Sequence, residues 1–153
     1  MIEAVIFDYN RTLVQGDENP PRFFPETQPV LQLLKDRGLK MAVVSVGDNP
    51  QDRLEEFEFL HLDRYFDVFD IVGPEGVKKF QHILEQLKVT AQRCVVVGDR
   101  VKSEILEGNR VGATTVWLQL GKFANEKPEG LEEEPKFTIK SLSELITIID
   151  SLL

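Results

Sequence analysis

The hydrophobic positions of this chain fall into short runs of two alternating kinds. Ala4 to Phe7, Leu39 to Val46, Val68 to Val72, Cys94 to Val97 and Thr114 to Leu118 are brief apolar stretches rich in Val and Ile. That is the pattern of strands buried on both faces. Helical patterns lie between them. Thr27 to Arg37 carries Val30, Leu31, Leu33 and Leu34 at helical spacing and stops at Gly38, a residue suited to the left-handed position after a helix. Asn49-Pro50 opens a helix running toward Leu60. Val77 to Leu87 places Phe80, Ile83, Leu84 and Leu87 on one face, and Ser103 to Arg110 is a helix halted near Gly112. Lys136 to Ile139 is a further short strand candidate, and Leu142 to Leu152 is an amphipathic helix. Strands alternating with helices predict a three-layer α/β/α sandwich around a central parallel sheet of about five strands. No internal repeat is visible. Two loops stand out. Gln15 to Pro25 holds three prolines and two phenylalanines, and Gly121 to Pro135, rich in Glu, Lys and Pro, is expected to be solvated.

Composition narrows the partners. With 153 residues, 42% hydrophobic and 29% charged, the chain is expected to form one globular domain over residues 1–153. A formal charge of −8 argues against a nucleic-acid partner and against an anionic membrane surface. A phosphorylated small molecule or phosphoprotein stays compatible, because a metal ion and a few local cations can outweigh the global charge. Cys94 is the single cysteine and is expected to be a buried small hydrophobe. Acidic residues arrive at Glu3 and Asp8, too soon for a signal peptide, and no apolar run approaches the roughly 20 residues of a membrane span. A cytoplasmic location is therefore expected.

The chemistry sits at two strand ends. Val5-Ile6-Phe7 ends in Asp8, and Cys94-Val95-Val96-Val97-Gly98 ends in Asp99, with Glu104 following. Open α/β sheets bind ligands at the carboxyl edge of their strands. Two carboxylates delivered to one edge suggest a divalent-cation site and a nucleophile. His61 and His82 lack a triad-like context, and Trp117 reads as core.

Four segments together resemble the haloacid dehalogenase (HAD) superfamily, mostly phosphohydrolases, and the resemblance spans nearly the whole chain. The first is Asp8-Tyr9-Asn10-Arg11-Thr12, the second Val43-Val44-Ser45, the third Lys78-Lys79, and the fourth Gly98-Asp99 with Glu104. The resemblance implies that Asp8 is a nucleophile forming an aspartyl-phosphate. It implies that Ser45 and Thr12 serve substrate binding, and that Lys78, with Lys79 as the alternate, neutralises phosphoryl charge; Arg11, where the family more commonly has Gly, is a candidate for binding a substrate phosphate or else points to solvent. Asp8, Asp99, Glu104 and the backbone carbonyl of Asn10 would ligate Mg²⁺. Gly108 and Gly112 would permit tight helix–strand packing.

Asn10 departs from the family pattern, which has a second Asp there as acid/base. An amide has no proton to exchange in the working range, and general acid–base catalysis is typically worth about 10²–10⁴ in rate. The spacing from Asp8 to Thr27 leaves room only for a flap at 14–26, and that from Ser45 to Lys78 only for a helix, a strand and connections. A member without a cap domain is expected. Arg22, Phe23 and Phe24 are candidates for a partial lid. The two phenylalanines are equally candidates for anchoring the loop or for a homodimer contact. The leading expectation is a Mg²⁺-dependent phosphohydrolase, impaired by Asn10. The alternative is a non-catalytic relative that binds a phosphorylated ligand or a protein. Dehalogenation is disfavoured, since members doing that chemistry generally carry a cap that excludes water.

Overall fold

A computed structural model describes residues 1–16, 18–73 and 76–153. Asp17 of the expected flap, and Pro74 and Glu75 ahead of the lysine pair, lie outside the described residues. The elements run β1 (Ala4–Asp8), α1 (Thr27–Asp36), β2 (Lys40–Val46), α2 (Pro50–Phe59), β3 (Val68–Val72), α3 (Gln81–Leu87), β4 (Cys94–Gly98), α4 (Leu106–Val111), β5 (Thr114–Leu118), β6 (Phe137–Ile139) and α5 (Leu145–Leu152). All strand pairs are parallel, in the order β3-β2-β1-β4-β5-β6. The sheet thus has six strands rather than about five. The three-residue β6 is too short to carry a periodic signal and is defined by its pairing with β5.

Alternation along each strand divides the core into two layers. Val5, Phe7, Met41, Val43, Val95 and Val97 pack on one face with Val30, Leu31 and Leu34 of α1 and Leu145 and Ile149 of α5. Ala4, Ile6, Ala42, Val44 and Val96 face the other way, against Phe80, Ile83, Leu84 and Leu87. Leu33, although in helical register, points outward and is exposed. Cys94 is buried, and burial pushes its thiol up to about 12. No helix among the described residues is long and apolar enough to cross a membrane.

The topology decides where the site must be. Successive strands step outward from β1 to β2 to β3, then the chain returns to the other side of β1 to lay down β4 and β5. The order reverses between β1 and β4, and a crevice opens at such a switch point. Phe7 pairs with Val97 across this junction, so the residues just beyond, Asp8 and Asp99, emerge side by side. Among the described residues no cap domain interrupts the chain. Residues 9–26 join β1 to α1, and one helix with short connections joins β2 to β3.

One expectation needs correction, and another needs an addition. The helix expected over Val77–Leu87 begins only at Gln81. Lys78 and Phe80 are both buried while Lys79 is exposed, an alternation of period two that a helix cannot satisfy. The Gly121–Pro135 segment is solvated as expected, with no residue buried, but it is also tied down. Glu126 accepts from Val101 N at 3.0 Å and from Arg100, and Asn109 Nδ2 donates to the carbonyls of Glu132 and Glu134. These bonds tie the segment to the residues following β4.

Candidate active site

Each acidic side chain is delivered by a different local device. Asp8 is the last residue of β1, beneath a tight turn in which Leu13 N donates to Tyr9 O at 2.9 Å. That turn brings Thr12 back over the strand end, where its Oγ1 donates to Asp8 Oδ2 at 3.2 Å. Asp99 follows β4, and Trp117 Nε1 donates to its backbone carbonyl at 2.9 Å. Trp117 is therefore core, as its apolar setting predicts, and also a clamp on the loop. Glu104 comes from one wide π-helical turn, Val101–Ile105, that precedes α4. Such turns are rare and recur at functional sites.

Gly98 makes the arrangement possible. A Cβ on Gly98 would lie 2.6 Å from Glu104 Cβ and Cγ, inside any real contact distance. Only a residue without a side chain lets Glu104 fold back over the strand end. Gly108 plays the expected packing role, since a Cβ there would meet Thr115 Cγ2 at 2.7 Å. Gly112 instead ends α4 with φ +90°.

Asp8, Asp99 and Glu104 are all buried, and each offers a carboxylate oxygen within 4.8 Å of the other two. Lys78 enters the cluster from the extended segment before α3. Its Nζ donates to Asp8 Oδ1 at 2.5 Å and to Glu104 Oε1 at 2.9 Å. Lys79 is exposed, so the geometry separates the two lysines. Burial would push the Lys78 ammonium toward neutrality, but Asp8 and Glu104 more than offset it and raise its pKa. The acids move the same way for a different reason. Burial, then mutual repulsion, pushes Asp99 up to about 6 and Glu104 up to about 7; Asp8 is raised as well, chiefly by burial.

Three acids facing one lysine leave an excess of negative charge in a low-dielectric pocket. Asp99 Oδ2, Glu104 Oε2 and Ser45 Oγ are buried without a hydrogen-bond partner. Leaving such atoms unsatisfied costs about 1–3 kcal/mol each. Two carboxylate oxygens and a hydroxyl in that condition, lining one cleft, fit a divalent cation and an oxyanion.

The cleft is about 160 Å³ and is lined by Asp8, Asn10, Arg11, Ser45, Lys78, Asp99 and Glu104, among others. The residues singled out in the sequence are thus brought together, with Thr12 reaching the cleft through Asp8. The flap candidates Arg22, Phe23 and Phe24 are not among the residues that line it. Arg22 is exposed and pairs with Glu18 at 3.0 Å, while Phe23 packs into the core and holds the flap through its bridge to Val14. The mouth is walled instead by Arg100 and Phe123. Sequence reasoning missed both. The one visible signal was an aromatic residue standing in an otherwise polar loop. His82 is half-exposed beside Asp70, at 3.2 Å, and His61 is exposed.

A family described as haloacid dehalogenase-like hydrolase matches residues 2–112. The glyceraldehyde 3-phosphate phosphatase of Pyrococcus furiosus is 31% identical over 134 residues, covering 84% of this chain and 55% of that protein. The phosphoglycolate phosphatase of Aquifex aeolicus is 31% identical over 149 residues, covering 88% and 63%. The chain thus spans little more than half the length of these relatives. Among solved structures, a HAD phosphatase from Thermococcus onnurineus superposes with a TM-score of 0.75 at 19% identity, covering 97% of this chain and 98% of that one. That likeness speaks for the fold.

Proposed function

The chain belongs to the haloacid dehalogenase-like hydrolases, and from that membership we propose that it is a Mg²⁺-dependent phosphohydrolase acting on a small phosphate ester through Asp8. The single observation that carries the reading is the convergence of Asp8, Asp99 and Glu104 within 4.8 Å beside Lys78. The names of the two relatives support a short phosphorylated substrate, and so does the size of the cleft.

Asp8, Asp99 and Glu104 would hold the cation, since Mg²⁺ takes hard oxygen ligands. The chemistry a bound Mg²⁺ supplies there is neutralisation of phosphoryl charge. The chain does the rest. Ser45 donates its hydroxyl to a phosphoryl oxygen, and Lys78 fixes the Asp8 carboxylate and adds a positive charge beside it. An Asp8 oxygen attacks phosphorus, the bond to the alcohol oxygen breaks, and an aspartyl-phosphate remains. Water then displaces the carboxylate at phosphorus, which releases phosphate and restores Asp8. Asn10 has no proton to lend the departing alcohol and no basic group to activate that water. Both steps therefore run without side-chain acid–base help at this position, and turnover is slow.

Phosphate release from a panel of monoesters that includes glyceraldehyde 3-phosphate and phosphoglycolate tests the reading. Release is expected from the native chain with Mg²⁺, faster from Asn10→Asp and lost in Asp8→Asn. No release from the native chain or from Asn10→Asp would reject it. Asn10 also favours a second reading, a phosphoester-binding protein without turnover. In that case Asn10→Asp would bind the esters and release nothing.

A further inference from the structure

The mouth of the cleft contains an arrangement that phosphoryl transfer alone does not require. The Arg100 guanidinium carbon lies 4.1 Å from the centroid of the Phe123 ring, and that of Arg11 lies 5.5 Å from the same centroid. Both distances fall inside the range in which a cation is attracted to a ring face. All three residues line the cleft that holds Asp8 and Ser45. Lys122 adds a third cation 5.4 Å from the ring. Three cationic side chains thus gather at one ring in a chain of net charge −8.

The arrangement is anchored from outside the cleft. Arg100 spends Nε and Nη2 on Glu126 Oε2, at 3.3 and 2.9 Å, while Glu126 Oε1 accepts from Val101 N at 3.0 Å. Those contacts fix the plane of the guanidinium and leave Nη1 of Arg100 without a hydrogen bond to any described residue. Arg11 is held differently. Its backbone adopts φ +61°, at the turn after β1, which carries its side chain across to the Phe123 side of the cleft. The β1 loop and the β4 loop thus each send one guanidinium to a single ring.

We propose that Arg11 and Arg100, gathered by Phe123, form a second anion subsite, so that the protein prefers phosphate esters whose leaving group carries another anionic group, such as a carboxylate. The inference rests on the phosphohydrolase reading and names the substrate class for it. A pocket of about 160 Å³ lies well below the roughly 300–1,000 Å³ of sites for larger ligands. The second anion must therefore sit only a few atoms from the phosphorus. The Nη1 of Arg100 that Glu126 leaves over can donate a charge-assisted hydrogen bond to a carboxylate oxygen from a fixed direction.

A matched pair of esters tests this. 3-Phosphoglycerate and glycerol 3-phosphate share a three-carbon skeleton and differ in a carboxylate against a hydroxymethyl group. Calorimetric affinity and phosphate release would be measured for both with Mg²⁺ present. The expected result is a preference of about tenfold or more for 3-phosphoglycerate. The preference should fall toward unity in Arg100→Gln and in Arg11→Gln, and fall partway in Phe123→Leu. Arg93→Gln makes the same charge change at the far end of β4, next to Glu3, and should keep the preference. Equal handling of the two esters by the native chain would overturn the subsite, and so would a preference that survives both arginine variants. If neither ester is bound or hydrolysed, it is the phosphohydrolase reading that fails.

Discussion

The ends of β1 and β4 face each other across one cleft, yet they are built to different standards. The β4 side is fixed from several directions. Gly98 clears space for Glu104, a wide helical turn aims that side chain, and Trp117 holds the Asp99 carbonyl. The β1 side positions its acid equally well, through Thr12 and Lys78, but places an amide two residues later. On the proposed reading the residues that would hold a cation are all present, while the position that would move a proton carries an amide. Binding and proton transfer are thus separable properties of one strand edge, and the chain can be questioned about each in turn.

The largest change should come from restoring the missing acid. Asn10→Asp is expected to raise the turnover of alkyl phosphates by about 10²–10⁴ with little effect on Mg²⁺ affinity, read from steady-state kinetics and calorimetry. A rise in affinity without a rise in rate would erase the contrast between the two sides.

Next in size is the response to pH. Asp99 and Glu104 sit at about 6 and about 7 in the fold, above ordinary values of 3.8 and 4.5. The folded, metal-free protein therefore binds protons that the unfolded chain does not. Its stability should be highest below the ordinary values and fall as pH rises through the raised ones, by on the order of 4 kcal/mol between pH 5 and 8. Lys78 does not alter this window, because its shift acts only at alkaline pH. A Mg²⁺ ion held there, as proposed, would compete with those protons, so it should stabilise the fold more at pH 8 than at pH 5. Urea titrations with and without Mg²⁺ read both effects.

Gly98→Ala attacks the β4 side alone. The added methyl meets Glu104 at 2.6 Å, so the expected cost is roughly 1–3 kcal/mol together with weakened Mg²⁺ binding. Smallest is Trp117→Phe, which removes one hydrogen bond to the Asp99 carbonyl and should cost about 1 kcal/mol in denaturant unfolding.

Much of this was legible in the chain because the chemistry sits where apolar runs stop. Asp8 and Asp99 end uninterrupted buried strands, and neighbouring parallel strands bring their ends together. What escaped depended on contacts between distant residues. Lys78 was visible as a lysine, but its extended backbone follows from burial of residues 78 and 80, which helical periodicity in 80–87 disguises. Arg100 and Glu126 pair across a separation of 26 residues, and no local pattern announces it. The loop carrying Phe123 is solvated as its composition indicates, but its ordering comes from bonds to the segment after β4 rather than from its own hydrophobicity. The short β6 likewise exists through its partner.

The most direct test is the mass of the chain after incubation with Mg²⁺ and acetyl phosphate. Acetate departs without needing a proton, so this phosphoryl donor bypasses the deficit at Asn10, while the product still lacks a base to activate water. One phosphoryl group, mapped to Asp8, should persist in the native chain, turn over quickly in Asn10→Asp and be absent from Asp8→Asn. An unmodified Asp8 in both the native chain and Asn10→Asp, or a phosphoryl group on another residue, would contradict it.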